Sequence, residues 1–185
     1  LLFALIIWGP TYFVDVHGLG IGIAANISIL FPIAGTIGTL AISWLVAGPL
    51  CCKEILFGAL TFILVSGLLF LFPIVSTSLF MSAALLVLVG SILYGVNTII
   101  TTILPMILSD RQEVSTVAGL IDFAFNIGAS LAGVGIGTIM DKFSWSAMFN
   151  VLGFSAISTS LFLVLFAFWI NRLSGKKIMN LKQRV

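Results

Sequence analysis

Val114–Met140 reads VSTVAGLIDFAFNIGASLAGVGIGTIM. The stretch is long and apolar enough to cross a bilayer, which takes about 20 residues of helix. At helical spacing Ser115, Ala118, Asp122, Asn126, Ala129, Gly133 and Gly137 share one face, and each is small or polar. Leu120, Phe123, Ile127, Leu131 and Val134 take the other side and are bulky and apolar. One side suits lipid or a packed core, the other a close neighbour or water. Asp122 stands about nine residues past the helix start, so roughly 12–14 Å deep. That is near the middle of a hydrocarbon layer about 30 Å thick. A carboxylate there costs a few kcal/mol even on lenient scales. Three readings are open: a proton-coupling or cation-binding carboxylate, a partner for an Arg or Lys elsewhere, or a residue at the wet edge of a cleft.

The rest of the chain supports a membrane setting. Hydrophobic residues make up 61% and charged residues 8%, against about 25% charged in ordinary soluble domains. Residues 55–109 and 143–171 contain no Asp, Glu, Lys or Arg. A net charge of +2 gives no basic patch for nucleic acid. Cys51 and Cys52 are the only cysteines and adjoin each other, which excludes a disulfide framework. They read as two reduced thiols at a membrane edge, with lipidation as the alternative. The chain opens on Leu1, already apolar and without a basic region ahead of it, so this first stretch does not read as a signal peptide. The first helix reads as truncated and the chain as a piece of a longer protein.

Interruptions mark six apolar segments. They run from Leu1 to about Val14, from about Gly22 to Leu45, and from about Ile55 to Phe72. The others run from about Leu79 to Met106, from Val114 to Met140, and from about Ser146 to Ile170, where Trp169 sits like an interfacial anchor. If alternate loops lie on alternate sides, one side receives Lys53, Arg111, Arg172, Lys176, Lys177, Lys182 and Arg184, and the other only Lys142. The positive-inside rule puts the seven in the cytoplasm. The expectation is an all-α membrane protein of six spans, residues 1–171, with a basic cytoplasmic tail over 172–185.

The third and sixth segments are mostly Leu, Ile, Val and Phe, with a few hydroxyls able to bond back to their own helix; they read as lipid-facing. The second has a small, polar face at Ala25, Ser28, Pro32, Gly35 and Thr39, and the fourth at Gly90, Tyr94, Asn97, Thr101 and Pro105. With the fifth segment these faces suit either a shared aqueous cavity or close helix packing. Asn97 and Asn126 stand between solute contact and interhelical hydrogen bonding. His17, near Asp15, reads as a solvated residue of the outer loop. Asp110 and Glu113 read as capping groups at the start of the fifth helix. No metal-ligand spacing, nucleophile elbow or phosphate loop is present, so neither cofactor nor enzyme activity is expected.

Several blocks resemble the major facilitator superfamily, and within it the organophosphate:phosphate antiporter branch. They are Trp8-Gly9-Pro10-Thr11-Tyr12, Gly38-Thr39-Leu40 followed by Trp44, Ala118-Gly119 with Gly128, and Asp141-Lys142-Phe143-Ser144-Trp145 with Phe149. Their order resembles that family's C-terminal half, so the segments correspond to helices seven to twelve of a twelve-helix carrier. The resemblance implies two halves rocking about a central site, the other half being absent from this chain. It adds Trp8 and Tyr12 to a substrate-pathway set of Asp122, Asn126, Asn97, Tyr94, Thr101 and Ser28. Two positions depart from the branch. Its phosphate-binding arginine, six residues before the block's tryptophan, corresponds to Leu2, and its acidic–basic pair corresponds to Ala47 and Gly48. The implied function is secondary active transport of a small polar or organic-anion solute across the plasma or inner membrane. Some relatives act as solute sensors that signal to a partner protein, which is the alternative. The expected partners are the lipid bilayer, a small-molecule solute and the missing half, and no nucleic acid.

Overall fold

The computed structural model describes residues 1–48, 54–75, 78–108 and 113–182. Among them the chain is helical, without strands: α1 (Leu2–His17), α2 (Ile21–Ala47), α3 (Glu54–Val75), α4 (Leu79–Thr98), a π-helical turn (Ile99–Ile103), α5 (Leu104–Leu108), α6 (Val114–Lys142) and α7 (Trp145–Lys182). Five stretches are long and apolar enough to span a bilayer: α2, α3, the continuous run Leu79–Met106, α6 and the first part of α7. All six segments expected from hydropathy are helices. α1 is the short one, with 16 residues, or about 24 Å at helical rise. The chain is a membrane-embedded helical protein.

Helix ends follow backbone chemistry more closely than the first polar residue. α1 runs through Asp15 and His17 and stops at Gly18, whose φ of 64° is left-handed. Glycine takes that conformation without steric cost. Pro73 does not end α3, which continues to Val75. Ser78 caps α4 by accepting a hydrogen bond from the Met81 amide at 3.3 Å. Glu113 occupies the cap position of α6 but makes no side-chain capping bond, and Asp110 lies outside the described residues. Cys51, Cys52, Lys53 and Arg111 also lie outside them.

Two tightly packed pairs form the frame. α2 and α4 cross through glycines: a Cβ at Gly35 would overlap the Tyr94 ring, one at Gly90 the Phe31 ring, and one at Gly38 the Ser91 backbone carbonyl. Small residues let helix backbones approach closely where lipid gives no hydrophobic drive. The small faces of the second and fourth segments therefore largely fill each other, and only their edges remain for water or solute.

α3 and α7 run antiparallel and exchange two buried hydrogen bonds. Ser66 Oγ donates to the Gly153 carbonyl at 3.0 Å, and Ser160 Oγ donates to the Ala59 carbonyl at 2.8 Å. These two hydroxyls reach across, in contrast to the expectation that they bond back within their helices. Thr61, Ser155, Ser158 and Thr159 do bond back. A sequence gives both groups the same hydroxyl; the helix crossing decides. The other faces of α7 remain lipid-exposed, through Phe154, Phe162 and Phe168 among others. Interhelical polar contacts in bilayers are worth about 0.6–2 kcal/mol each. The double variant Ser66→Ala/Ser160→Ala should therefore lose about 1–4 kcal/mol, with the two single losses adding because the sites lie two turns apart. Unfolding in detergent at wild-type temperature would show that the pair is held by apolar packing alone.

α4 is the hub, touching α1, α2 and α3. Near its start Ser82 is fully buried. Its Oγ donates to the Ser78 carbonyl at 3.1 Å and lies 3.3 Å from Tyr12 Oη and 3.0 Å from His17 Nε2. The Tyr12 ring is surrounded by Phe13, His17, Phe72, Trp145 and Phe149, with centroids between 5.1 and 5.7 Å away. Phe72 stacks on Phe149 at 4.0 Å. One tyrosine thus pins α1, α3, α4 and α7 at the same end of the bundle. His17 is half-buried and belongs to this cluster, not to a solvated loop.

Candidate functional site

α6 differs from the other spans. No residue in its most apolar 18-residue stretch is buried within the chain, whereas 22–44% of the corresponding stretch is buried in the other four. α6 leans on α1, on α5, on the start of α7 and on the π turn. Its contact with α1 is made by Phe125, whose ring lies 5.4 Å from that of Phe3, and by Gly137, where a Cβ would come within 3.2 Å of the Trp8 ring. Ala129 and Ala132 line the same seam. The lower half of the small face therefore serves helix packing.

Asp122 and Asn126 lie beside that seam and are exposed. Asn126 Nδ2 donates to the backbone carbonyl of Asp122 at 2.8 Å, and Ser130 Oγ donates to the carbonyl of Asn126 at 3.0 Å. The Asp122 carboxylate has no ion-pair or hydrogen-bond partner among the described residues. A local ladder of back-bonds thus orders the amide and the hydroxyl while leaving the carboxylate oxygens uncommitted. A charge at this depth needs water or a counter-charge.

The fourth span supplies the second polar element. Its π turn places the Leu104 amide on the Ile99 carbonyl. Pro105 causes the widening, because it brings no N–H and its ring would crowd the carbonyl four residues back. Thr98 and Thr101 return their hydroxyls to the carbonyls of Tyr94 and Asn97, at 3.2 and 3.0 Å. Asn97 and Thr101 are half-buried. π turns inside helices occur frequently at functional sites.

Ser28 and Tyr94 meet at a cleft of about 60 Å³ between α1, α2 and α4, with Phe31 and Gly9 among its other walls. Ser28 Oγ bonds back to the Ala24 carbonyl at 2.8 Å. A void of this size holds about two waters; solute pockets run to several hundred Å³. A larger cavity of about 220 Å³ lies at the seam of α1 and α6, between Leu1, Phe3, Phe125 and Ala129. Trp8 Nε1 is buried without a hydrogen-bond partner among the described residues. Tyr12 is held in its aromatic cluster, away from both the cleft and α6.

The structure thus groups the residues singled out from sequence into four places. Asp122 and Asn126 share α6, Asn97 and Thr101 flank the π turn, Ser28 and Tyr94 share the small cleft, and Trp8 wedges between α1 and α6. The hydrogen-bonded group of Tyr12, His17 and Ser82 is not foreseeable from periodicity, since Ser82 lies 65–70 residues from the other two. Comparison with protein-family models and with curated proteins finds no match to either.

Proposed function

We propose that the chain is the C-terminal six-helix half of a secondary active transporter of the major facilitator type. It moves a small polar or organic-anion solute by alternating access, sits in the plasma or inner membrane, and keeps its basic tail in the cytoplasm. The observation that carries this reading is α6: a span with a deep, uncommitted carboxylate on a face that the other helices leave uncovered. Helices that line a solute path need such a face; helices that only pack do not. The polar π turn in a neighbouring span supports the same reading, as broken helices mark transporter sites. The seven-to-one split of basic residues supports the orientation.

The test compares the full-length protein with residues 1–185 in sealed vesicles. The full-length protein should take up its solute saturably, and the six helices alone should not, because the face of α6 that carries Asp122 has no facing wall among the described residues. Saturable uptake by residues 1–185 alone would replace the half-carrier with a self-assembling pore.

A further inference from the structure

We infer that the uncovered side of α6 is a docking face for a further transmembrane helix, and that this helix carries a lysine or arginine at the depth of Asp122. The inference rests on the membrane placement of α6 and not on transport. Charge bookkeeping within the chain leads to it. All eight Lys and Arg fall outside the apolar spans, so none of the six segments brings a fixed positive charge to Asp122's depth. His17 is committed to Ser82 at the end of α1. A fixed counter-charge at that depth therefore comes from a helix that is not one of these six.

The surroundings of Asp122 suit such a visitor. Leu120, Phe123, Ile127, Leu131 and Val134 form an apolar ridge that is 47–73% exposed. On Asp122's own side the backbone is open at Gly119 and Gly133, where an added Cβ would meet nothing within 4 Å. A helix laid along this edge gains close approach at the glycines and an ion pair at the carboxylate, while the ridge, on the far side of α6, stays with lipid. Lipid alone would satisfy the ridge, but it gives the carboxylate no partner.

The experiment uses residues 1–185, donor-labelled in phosphatidylcholine vesicles, with acceptor-labelled synthetic transmembrane helices of about 23 Leu and Ala residues. One peptide has a single central Arg, one a central Glu, and one no charge. Energy transfer should report binding of the Arg peptide about tenfold tighter than the uncharged one, the scale of a single interhelical polar contact. Asp122→Asn should erase the difference, and Gly119→Leu, which fills the open backbone beside the carboxylate, should weaken the Arg and uncharged peptides alike. Asp122 is exposed, so its variant keeps the fold, and an unchanged melting temperature checks this. Equal binding of all three peptides would overturn the proposal in favour of a water- or lipid-facing strip. So would equal binding of the Arg and Glu peptides, an Arg preference that survives in Asp122→Asn, or self-association of the chain through α6 that the Arg peptide cannot displace.

Discussion

Replacing Gly38 with alanine is expected to force α2 and α4 apart and to cost the protein at least about 3 kcal/mol, the upper end of what overpacking usually costs. The reason is the identity of the atom in the way. A methyl group at Gly38 falls on the backbone carbonyl of Ser91, which cannot turn aside as a side-chain tip can. The same crossing is closed from the other helix, where a Cβ on Gly95 would lie 2.8 Å from the Gly38 carbonyl oxygen. Interiors are packed densely enough that such an overlap moves whole helices. Because α4 is also the support for α1 and α3, the disturbance reaches three neighbours. In detergent the melting temperature should drop by about 6–12 °C, taking 2–4 °C per kcal/mol for a chain of this size. Gly67→Ala in α3 is the control. Nothing lies within 4 Å of its added methyl, and removing a helical glycine usually gains about 0.5–1 kcal/mol. If the two variants melted together, the glycine crossing would not be what holds α2 to α4.

The contrast between these two glycines shows what the sequence reveals and what it leaves open. Five of the six apolar segments were legible because a bilayer demands about 20 apolar residues wherever a helix crosses it, whatever surrounds that helix; the first, α1, is shorter. The use of a small face is different. Gly35, Gly38, Gly90 and Gly95 and the pair Gly119 and Gly133 look alike as spacing patterns. The first four are filled by neighbouring helices, whereas the last two are open. Only the crossing of α2 and α4 separates these cases. The serines behave in the same way: Ser66 and Ser160 donate across to α7 and α3, while Ser155 and Ser158 donate to their own helix. His17 was readable in part, since Gly18 is the natural left-handed stop and the helix should run up to it. The π turn also had a signal in Pro105, set in an otherwise unbroken span with Thr101 four residues before it. The partner of His17 was beyond reach, because Ser82 comes from a helix 65 residues away.

Asp122→Asn should abolish uptake against a gradient by the full-length protein while leaving residues 1–185 as stable as before. The two halves of this expectation have different origins. Within the described helices the carboxylate holds nothing: Asn126 donates to the Asp122 backbone carbonyl, a bond the substitution does not touch. An amide of the same shape at an exposed position should therefore change the melting temperature of the six-helix fragment by no more than about 0.5 kcal/mol equivalent, as for ordinary surface substitutions. In the complete protein, the docked helix proposed above would be left with an unpaired positive charge inside the bilayer. Removing one member of a buried pair typically costs about 3–5 kcal/mol, and each 1.4 kcal/mol is about a tenfold change in a population. A carrier that must alternate between two arrangements of α6 would then hold only about a hundredth or less of its working population in the disfavoured state. Asp122→Glu keeps the charge and should recover part of the uptake, which a purely steric role would not allow. Removing the stranded charge on the partner side, by neutralising the basic residue in the Asp122→Asn background, should restore stability without restoring accumulation. Full uptake from the Asp122→Asn protein would remove the carboxylate from the working cycle and leave α6 as a wall of the pathway only.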